Sequence, residues 1–345
     1  MNKYVLGKYV IAQELRDGNY LGLGSKQVKI KSEEQWKCII SLAAKAIEPI
    51  ELSELEKIDI VSEIPGTLQY LIENNFIVES CEVSMTSRYS RTYYYYQSLG
   101  LNVEQAEKNM RNSTVTVLGC GGIGNHISAA LVSNGVGHVN LVDGDYIELS
   151  NLTRQILFDE HNVGCRKVEI LAKRLKERNS ECNINSIDLY IKDENDLDKL
   201  PKSDLIILSA DSEDIVTVVN KYCIKNKVPY INVCYMNDIA VWGPFVIPGK
   251  TGCHACGCER LSLSAKSSGD NSAILKCINN RFKSATFPPV NATASALATA
   301  DIIRYLAGSE AISTINRRIG LHDYTLKVEE QDFSINKNCK VCQNL

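Results

Sequence analysis

Thr114–Leu118 is a short β-branched run that feeds directly into Gly119-Cys120-Gly121-Gly122-Ile123-Gly124, and a helix-forming stretch, NHISAALVSNG, follows. Strand, glycine turn and helix in that order make a cradle for phosphate oxygens. Glycines let the backbone come close, and a helix N-terminus offers unpaired N–H donors and a partial positive charge. Asp143 ends the next β-rich run, nineteen residues after Gly124, where a carboxylate can accept hydrogen bonds from ribose hydroxyls. Gly119, Gly121, Gly122, Gly124 and Asp143 therefore describe an adenine-nucleotide site. They leave a hydride-transfer enzyme and an ATP user both open.

The polar run beyond that strand separates the two. Asp143-Gly-Asp145-Tyr-Ile-Glu148-Leu-Ser-Asn151-Leu-Thr-Arg154-Gln155 is dense in hydrogen-bonding groups, and Gly164-Cys-Arg166-Lys167 opens another helix. Two cations, Arg154 and Lys167, with the amide of Asn151, suit a polyphosphate, whereas a nicotinamide needs a dry apolar pocket. The plainer alternative makes Arg154 and Lys167 solvated surface charges. Asp211 follows the apolar run LIILSA, where a strand's carboxyl end opens onto the site, and is suited to hold Mg²⁺ against phosphates.

Two knuckles, Cys253-His-Ala-Cys256 and Cys339-Lys-Val-Cys342, supply four thiolates, the composition of a closed tetrahedral zinc site. His254 and Cys258 are rival ligands that fall outside the x-x spacing. A redox pair would want thioredoxin-like surroundings, which are missing here. Four ligands leave no open position, so the zinc would be structural.

These residues need elements to hold them. Before residue 85, short strands with glycine turns lead into SEEQWKCIISLAAKAI, a helix capped by Ser32 with Trp36, Ile39, Ile40 and Ala43 on one face. A second helix and a strand, IVESCEV, complete a winged-helix-like module over residues 1–84. From residue 114 the runs TVTVLG, HVNLVDGD, INSIDLYI, DLIILSAD and PYINVCY alternate with stretches long enough for helices. That is the signature of an α/β, Rossmann-like doubly wound mixed sheet, here over residues 85–345. A small polar stretch at 262–273, an alanine-rich helix, NATASALATADIIRYLAG, and one last strand, HDYTLKVE, close the chain.

Composition narrows the setting. With 345 residues, 44% hydrophobic, 23% charged and a net charge of −3, disorder is excluded and a general nucleic-acid binder is disfavoured. No apolar run approaches the roughly 18–20 residues of a membrane helix. Thirteen cysteines, an odd number scattered mostly singly, read as reduced thiols. The N-terminus lacks a signal-peptide pattern, so a cytoplasmic location is expected, with neither nucleic acid nor membrane as partner.

Gly-Cys-Gly-Gly-Ile-Gly, DGDYIELSNLTRQ, VGCRKVE and the paired C-x-x-C motifs resemble the ATP-dependent adenylyltransferases related to ubiquitin-activating enzymes, the ThiF and MoeB family, over residues 84–345. The resemblance implies that Asp143 binds ribose, that Asn151, Arg154 and Lys167 contact phosphates, and that Asp211 holds magnesium; Asp145 and Gln155 fall in the same nucleotide-binding motif. Arg88-Tyr-Ser-Arg91 resembles the element preceding the glycine strand, which implies that Arg91 reaches the partner subunit's ATP in a homodimer. It also implies zinc on the four cysteines. Thr92 and Val216 depart from the family pattern, which carries Gln and Arg there. Some relatives hold the acyl group as a thioester. Cys277 is the candidate for that role, against the plainer reading of an ordinary thiol, and the run Tyr93 to Tyr96 reads as packing and dimer-contact surface.

From residue 1 onward the chain resembles the branch that makes microcin C-type antibiotics. That resemblance implies adenylation of a short ribosomal peptide ending in asparagine, passage through a succinimide, and a final AMP joined by a phosphorus–nitrogen bond. The alternatives are an enzyme activating a β-grasp sulfur-carrier or ubiquitin-like protein, and a nucleotide-binding scaffold without catalysis. The intact set Arg91, Arg154, Lys167 and Asp211 argues against the last.

Overall fold

The computed structural model describes residues 2–81, 86–212, 214–258, 272–281 and 285–343. The polar stretch 262–271 lies outside the described residues. Two compact units form, residues 1–109 with 307–309, and residues 110–306 with 310–345.

In the smaller unit, β1 (Lys3–Leu6), β2 (Ala12–Leu15), β3 (Gly18–Leu21) and β4 (Val28–Ile30) precede α1 (Glu33–Lys45). Then come β5 (Ile50–Glu51), α2 (Leu52–Leu55), α3 (Asp59–Glu63), α4 (Thr67–Glu73), β6 (Ile77–Glu79) and α5 (Ser90–Ser98). The strands make two antiparallel sheets, β5-β1-β6 and the wing β2-β3-β4. Ser32 caps α1 as expected, its Oγ accepting the Gln35 N–H at 3.2 Å, with Glu33 and Glu34 in the first turn and Lys45 in the last. Trp36, Ile39, Leu42 and Ala43 form the buried stripe, while Ile40, expected on that face, lies at its rim and is 37% exposed. Leu21, Leu55, Leu71, Phe76 and Ile77 complete this core. Of the tyrosine run, Tyr93 and Tyr96 are core residues of α5 and Tyr95 is exposed.

The larger unit begins in α6 (Val103–Asn112) and continues as β7 (Thr114–Leu118), α7 (Gly122–Ser133), β8 (His138–Val142), α8 (Lys167–Arg178), β9 (Asn183–Ile187), α9 (Glu194–Asp198), β10 (Leu205–Leu208) and α10 (Ile215–Asn226). β11 (Tyr230–Met236), β12 (Ile239–Val246), α11 (Ser272–Asn280), α12 (Pro288–Ala307), β13 (Arg317–His322) and β14 (Val328–Asp332) follow. The strands form one sheet in the order β14-β13-β12-β11-β10-β7-β8-β9. Strands β9, β8, β7, β10 and β11 are mutually parallel, and β12 to β14 run antiparallel. The β-rich runs that alternate along the sequence thus become the parallel half, the Rossmann-like doubly wound arrangement expected. The chain goes one way from β7 to β9 and the other way from β10 to β11. A crevice therefore opens where the carboxyl ends of β7 and β10 sit side by side, Leu118 paired with Leu208.

The closing segment differs from expectation. HDYTLKVE is not one strand: β13 ends at His322, the chain turns, and β14 starts at Val328. Leu326 sits at φ +56°, and His322 and Lys327 close the turn through an N–H···O bond of 3.0 Å. Tyr324, Leu326 and Val328 keep the period-2 alternation of a strand, but all three are exposed, so no apolar face holds the segment extended. No helix among the described residues is long and apolar enough to cross a membrane.

Candidate nucleotide site and metal cluster

The glycine loop sits at the crevice, and its sequence is what lets it fit. Gly119 leaves β7 at φ +92°, and a Cβ there would stand 2.7 Å from the backbone nitrogen of Ala210. Gly124, in the first turn of α7, approaches so closely that its Cβ would lie 1.9 Å from the Gly119 carbonyl oxygen. Two chain segments and a helix start converge where any side chain would hold them apart. Ser209, at the end of β10, donates its hydroxyl to Gly119 O at 2.8 Å and stitches the two sides together. No side chain caps α7, so its first-turn N–H groups and helix dipole face the loop.

Asp143 ties this loop to the polar run. One carboxylate oxygen accepts the Cys120 N–H at 2.7 Å, the other the Asp145 N–H at 2.8 Å. Asp145 in turn takes Lys167 Nζ at 2.7 Å and the Tyr190 hydroxyl. Lys167, the first residue of α8, is only 6% exposed, so its ammonium is built into the site and is not a solvated surface charge. Asn151 is buried, and its Oδ1 accepts the Glu148 N–H at 3.1 Å. Arg154 is half-buried and donates to Ser150 O at 3.1 Å, and its Cγ lies 3.1 Å from where a Gly122 Cβ would be. Asp211 follows Ala210 directly and is exposed at the mouth of β10. Burial, and then the Asp143 charge, push the Cys120 thiol well up, which leaves it a neutral packing group.

The larger unit thus brings together the glycine loop, Asp143, Asp145, Asn151, Arg154, Gln155, Lys167 and Asp211. Arg91 is exposed on α5 of the smaller unit. Cys277 is exposed on α11.

Three buried amides around the loop carry atoms without a hydrogen-bond partner among the described residues: Asn125 Nδ2, Gln155 Oε1 and Asn291 Oδ1. Sequence reading missed Asn125 and Asn291. Asn291 Nδ2 lies 2.5 Å from where a Gly122 Cβ would stand, and Asn125 Oδ1 accepts the Leu157 N–H at 3.0 Å. Buried polar atoms left unpaired cost free energy, and such groups concentrate where a ligand completes them. An isolated Asn within an apolar helix is the available signal.

Cys253, Cys256, Cys339 and Cys342 converge, with all four Sγ atoms within 4.8 Å of one another. Individual separations are 4.0 Å for Cys253–Cys256, 3.7 Å for Cys253–Cys339 and 3.5 Å for Cys256–Cys342. A tetrahedron with Zn–S bonds of about 2.3 Å has sulfur–sulfur edges of about 3.8 Å, so this set fits zinc. Asn220, 2% exposed, donates to Cys253 Sγ at 3.7 Å, and the Asn336 N–H reaches Cys256 Sγ at 3.5 Å. Burial pushes the Cys342 thiol up to about 11 and Cys253 further, so a divalent cation is what would make clustered thiolates stable. His254 stays outside this set and pairs with Cys258 Sγ at 3.1 Å.

Residues 95–343 match the ThiF family. The chain belongs to that family. Among its relatives is the sulfur carrier protein ThiS adenylyltransferase of Bacillus subtilis, 28% identical over 181 residues, which are 52% of this chain and 52% of that protein. The chain thus spans about half the length of this curated relative. Similar solved structures run the full length. E. coli MccB with MccA-N7isoASN is 39% identical, with a TM-score of 0.92 over 99% of this chain and 100% of that one. E. coli MccB with ATP is 39% identical at a TM-score of 0.90, covering 99% of each chain. The expectation of a ThiF-family adenylyltransferase on a Rossmann-like fold is met.

In this ThiF-family chain the cysteine cluster joins the C-terminal segment to the core of the larger unit, since Cys253, Cys256 and Cys339 pack in one cluster with Leu208, Val219 and Tyr230. Cys339→Ser is therefore expected to drop bound zinc from about one per chain to near zero and to destabilise the chain by several kcal/mol. Metal analysis with thermal denaturation checks it; an unchanged melting temperature after complete zinc loss would show that the clamp adds nothing.

Proposed function

We propose that this chain activates the C-terminal carboxylate of a short ribosomally made peptide ending in asparagine, using Mg-ATP, and finishes with AMP attached through a P–N bond. The observation that carries the reading is similarity along the whole chain, the smaller unit included, to MccB held with ATP and with MccA. The family match begins at residue 95 and leaves residues 1–84 unexplained. A small winged module is suited to gripping an extended peptide.

The chemistry of this reading is carried over from the similarity to MccB. The peptide carboxylate attacks the α-phosphorus of ATP, the bond to the bridging oxygen breaks, and pyrophosphate leaves an acyl-adenylate. The asparagine side-chain nitrogen then attacks the acyl carbon, loses a proton and expels AMP, closing a succinimide. Its deprotonated nitrogen attacks the α-phosphorus of a second ATP and displaces pyrophosphate again. Asp143 holds the ribose, and Asn151, Arg154, Gln155 and Lys167 hold phosphate oxygens against the glycine loop. Asp211 would hold Mg²⁺, which neutralises charge on the departing pyrophosphate. Arg91 would reach the same phosphates from the partner subunit of a homodimer. Almost all the rate enhancement would come from positioning and charge neutralisation, because no covalent enzyme group is needed.

Incubation with Mg-ATP and a short peptide ending in Asn, read by mass spectrometry, tests this. A peptide-linked AMP that survives hydroxylamine is expected. No adduct, with ATP–pyrophosphate exchange appearing only on addition of a β-grasp carrier protein, would replace this reading with carrier activation, which the ThiS-directed relative and the exposed Cys277 would then support.

A further inference from the structure

The lower half of one face of the large sheet is polar where a parallel sheet is ordinarily apolar. Thr114, His138 and Asn183 are register partners on β7, β8 and β9, and two residues on so are Thr116, Asn140 and Asn185. Residues two apart share a face. Two residues further still, Leu118, Val142 and Ile187 join the apolar cluster that includes Ile215 and Val219 of α10. Helices cover both faces of most parallel sheets, which makes their strands continuously apolar. Here the pattern switches to polar within three consecutive strands.

Those polar residues are linked to one another. Asn185 Nδ2 donates to Asn140 Oδ1 at 3.5 Å, Asn140 Nδ2 donates to Thr116 Oγ1 at 3.1 Å, and Thr116 Oγ1 lies 2.5 Å from Ser203 Oγ. Asn140 is 5% exposed, so the floor is fixed in place. Above it lies a cavity of about 670 Å³ whose rim carries Lys173 and Lys176 of α8, Lys202 and His138. Among the described residues no carboxylate lines it. Asn183 Nδ2 lies 3.4 Å from His138 Nδ1, which ties the rim to the amide floor.

Lys176 Nζ donates to Cys182 O at 2.8 Å and the Asp204 carboxylate accepts the Thr114 N–H at 2.8 Å, but no carboxylate is in the lining itself, so three ammonium groups around an amide floor give the concave site a positive potential. The volume lies within the roughly 300–1,000 Å³ of small-ligand pockets. The cavity opens at the amino ends of β7, β8 and β9, whereas the glycine loop lies at the carboxyl ends. We propose that it is a second anion site, which binds a small multivalent phosphoanion, either free diphosphate or the phosphate chain of a nucleotide. Lysine ammoniums would meet the phosphate oxygens, and the Asn183 and Asn185 amides would satisfy the acceptors nearest the floor.

Equilibrium dialysis of labelled pyrophosphate against the full chain tests this, with the glycine-loop site filled by one equivalent per chain of a tight-binding non-hydrolysable ATP analogue, so that none is left over for the second site. About one equivalent of pyrophosphate per chain should still bind. Lys173→Gln/Lys176→Gln/Lys202→Gln should weaken that binding more than tenfold, since each lost charge-assisted contact is worth roughly a factor of ten. Analogue binding, followed in the same samples, should stay unchanged and reports that the variant is folded and the first site intact. Lys202→Glu alone, at an exposed position, should give a similar loss. Tighter binding of pyrophosphate than of ADP would identify the free diphosphate as the natural occupant; the reverse order would identify a nucleotide. No pyrophosphate bound beside the analogue, or equal binding in wild type and triple variant, overturns the proposal.

Discussion

Asp211→Ala is expected to cut ATP–pyrophosphate exchange by about 10²–10³-fold or more, the loss typical when one preorganised charge-stabilising group is taken from a transition state. The position makes the experiment clean. Asp211 is exposed at the mouth of β10, so truncation leaves no buried hole and strands no buried partner. Lys167 is the contrasting case: removing it would leave Asp145 without the ammonium it holds at 2.7 Å, and a loss of rate would mix with a loss of structure. Asp211→Asn keeps the shape and removes the charge, so it should be nearly as inactive as the alanine variant. Zinc content and melting temperature should match wild type in both. Full exchange activity in either variant would take Asp211 out of the reaction.

Much of this architecture was legible because the chemistry is local in the chain. The glycine loop, the run from Asp143 to Gln155 and both cysteine knuckles are short segments whose spacing alone limits what they can do, and the parallel strands β7, β10 and β11 announce themselves as apolar runs, while β9 is mostly polar. What escaped was set by contacts between distant segments. Asn125 and Asn291 lie 166 residues apart and are recognisable as site residues only once α7 and α12 bring them to the same loop. Asn220 supports Cys253 from α10, with no spacing relation to either knuckle. HDYTLKVE failed as a strand because two apolar residues near a β-branched one satisfy a local pattern, while the turn is fixed by pairing with β12 and β14. Ile40 marks the same limit at smaller scale: one helical step of about 100° moves a residue from stripe to rim. Lys167 ran the other way, since a lysine at a helix start is ordinarily solvated and only the fold buries it against Asp145.

Arg91→Ala is the variant expected to show whether two chains share one site. Alone it should lower adenylation by about 10³-fold, in line with what an arginine brought to a departing phosphate contributes. Mixing it with Asp211→Ala then separates two arrangements. If Arg91 acts on its own chain's ATP, every site in a mixed dimer lacks one of the two groups, and mixing restores nothing. If it acts across the dimer, each mixed pair contains one site with Asp211 from one chain and Arg91 from the other, while the second site lacks both. Random reassortment puts half the chains into mixed pairs with one working site in two, so roughly a quarter of wild-type activity should return. Because both substitutions are at exposed positions, neither should prevent association by unfolding its chain. Activity that returns on mixing, and rises as the two variants approach equal amounts, requires a homodimer with Arg91 acting in trans. Failure to return, with mixed dimers demonstrated by native mass spectrometry, would place Arg91 on its own chain's ATP, whereas full activity of Arg91→Ala alone would leave Arg91 a surface residue of α5.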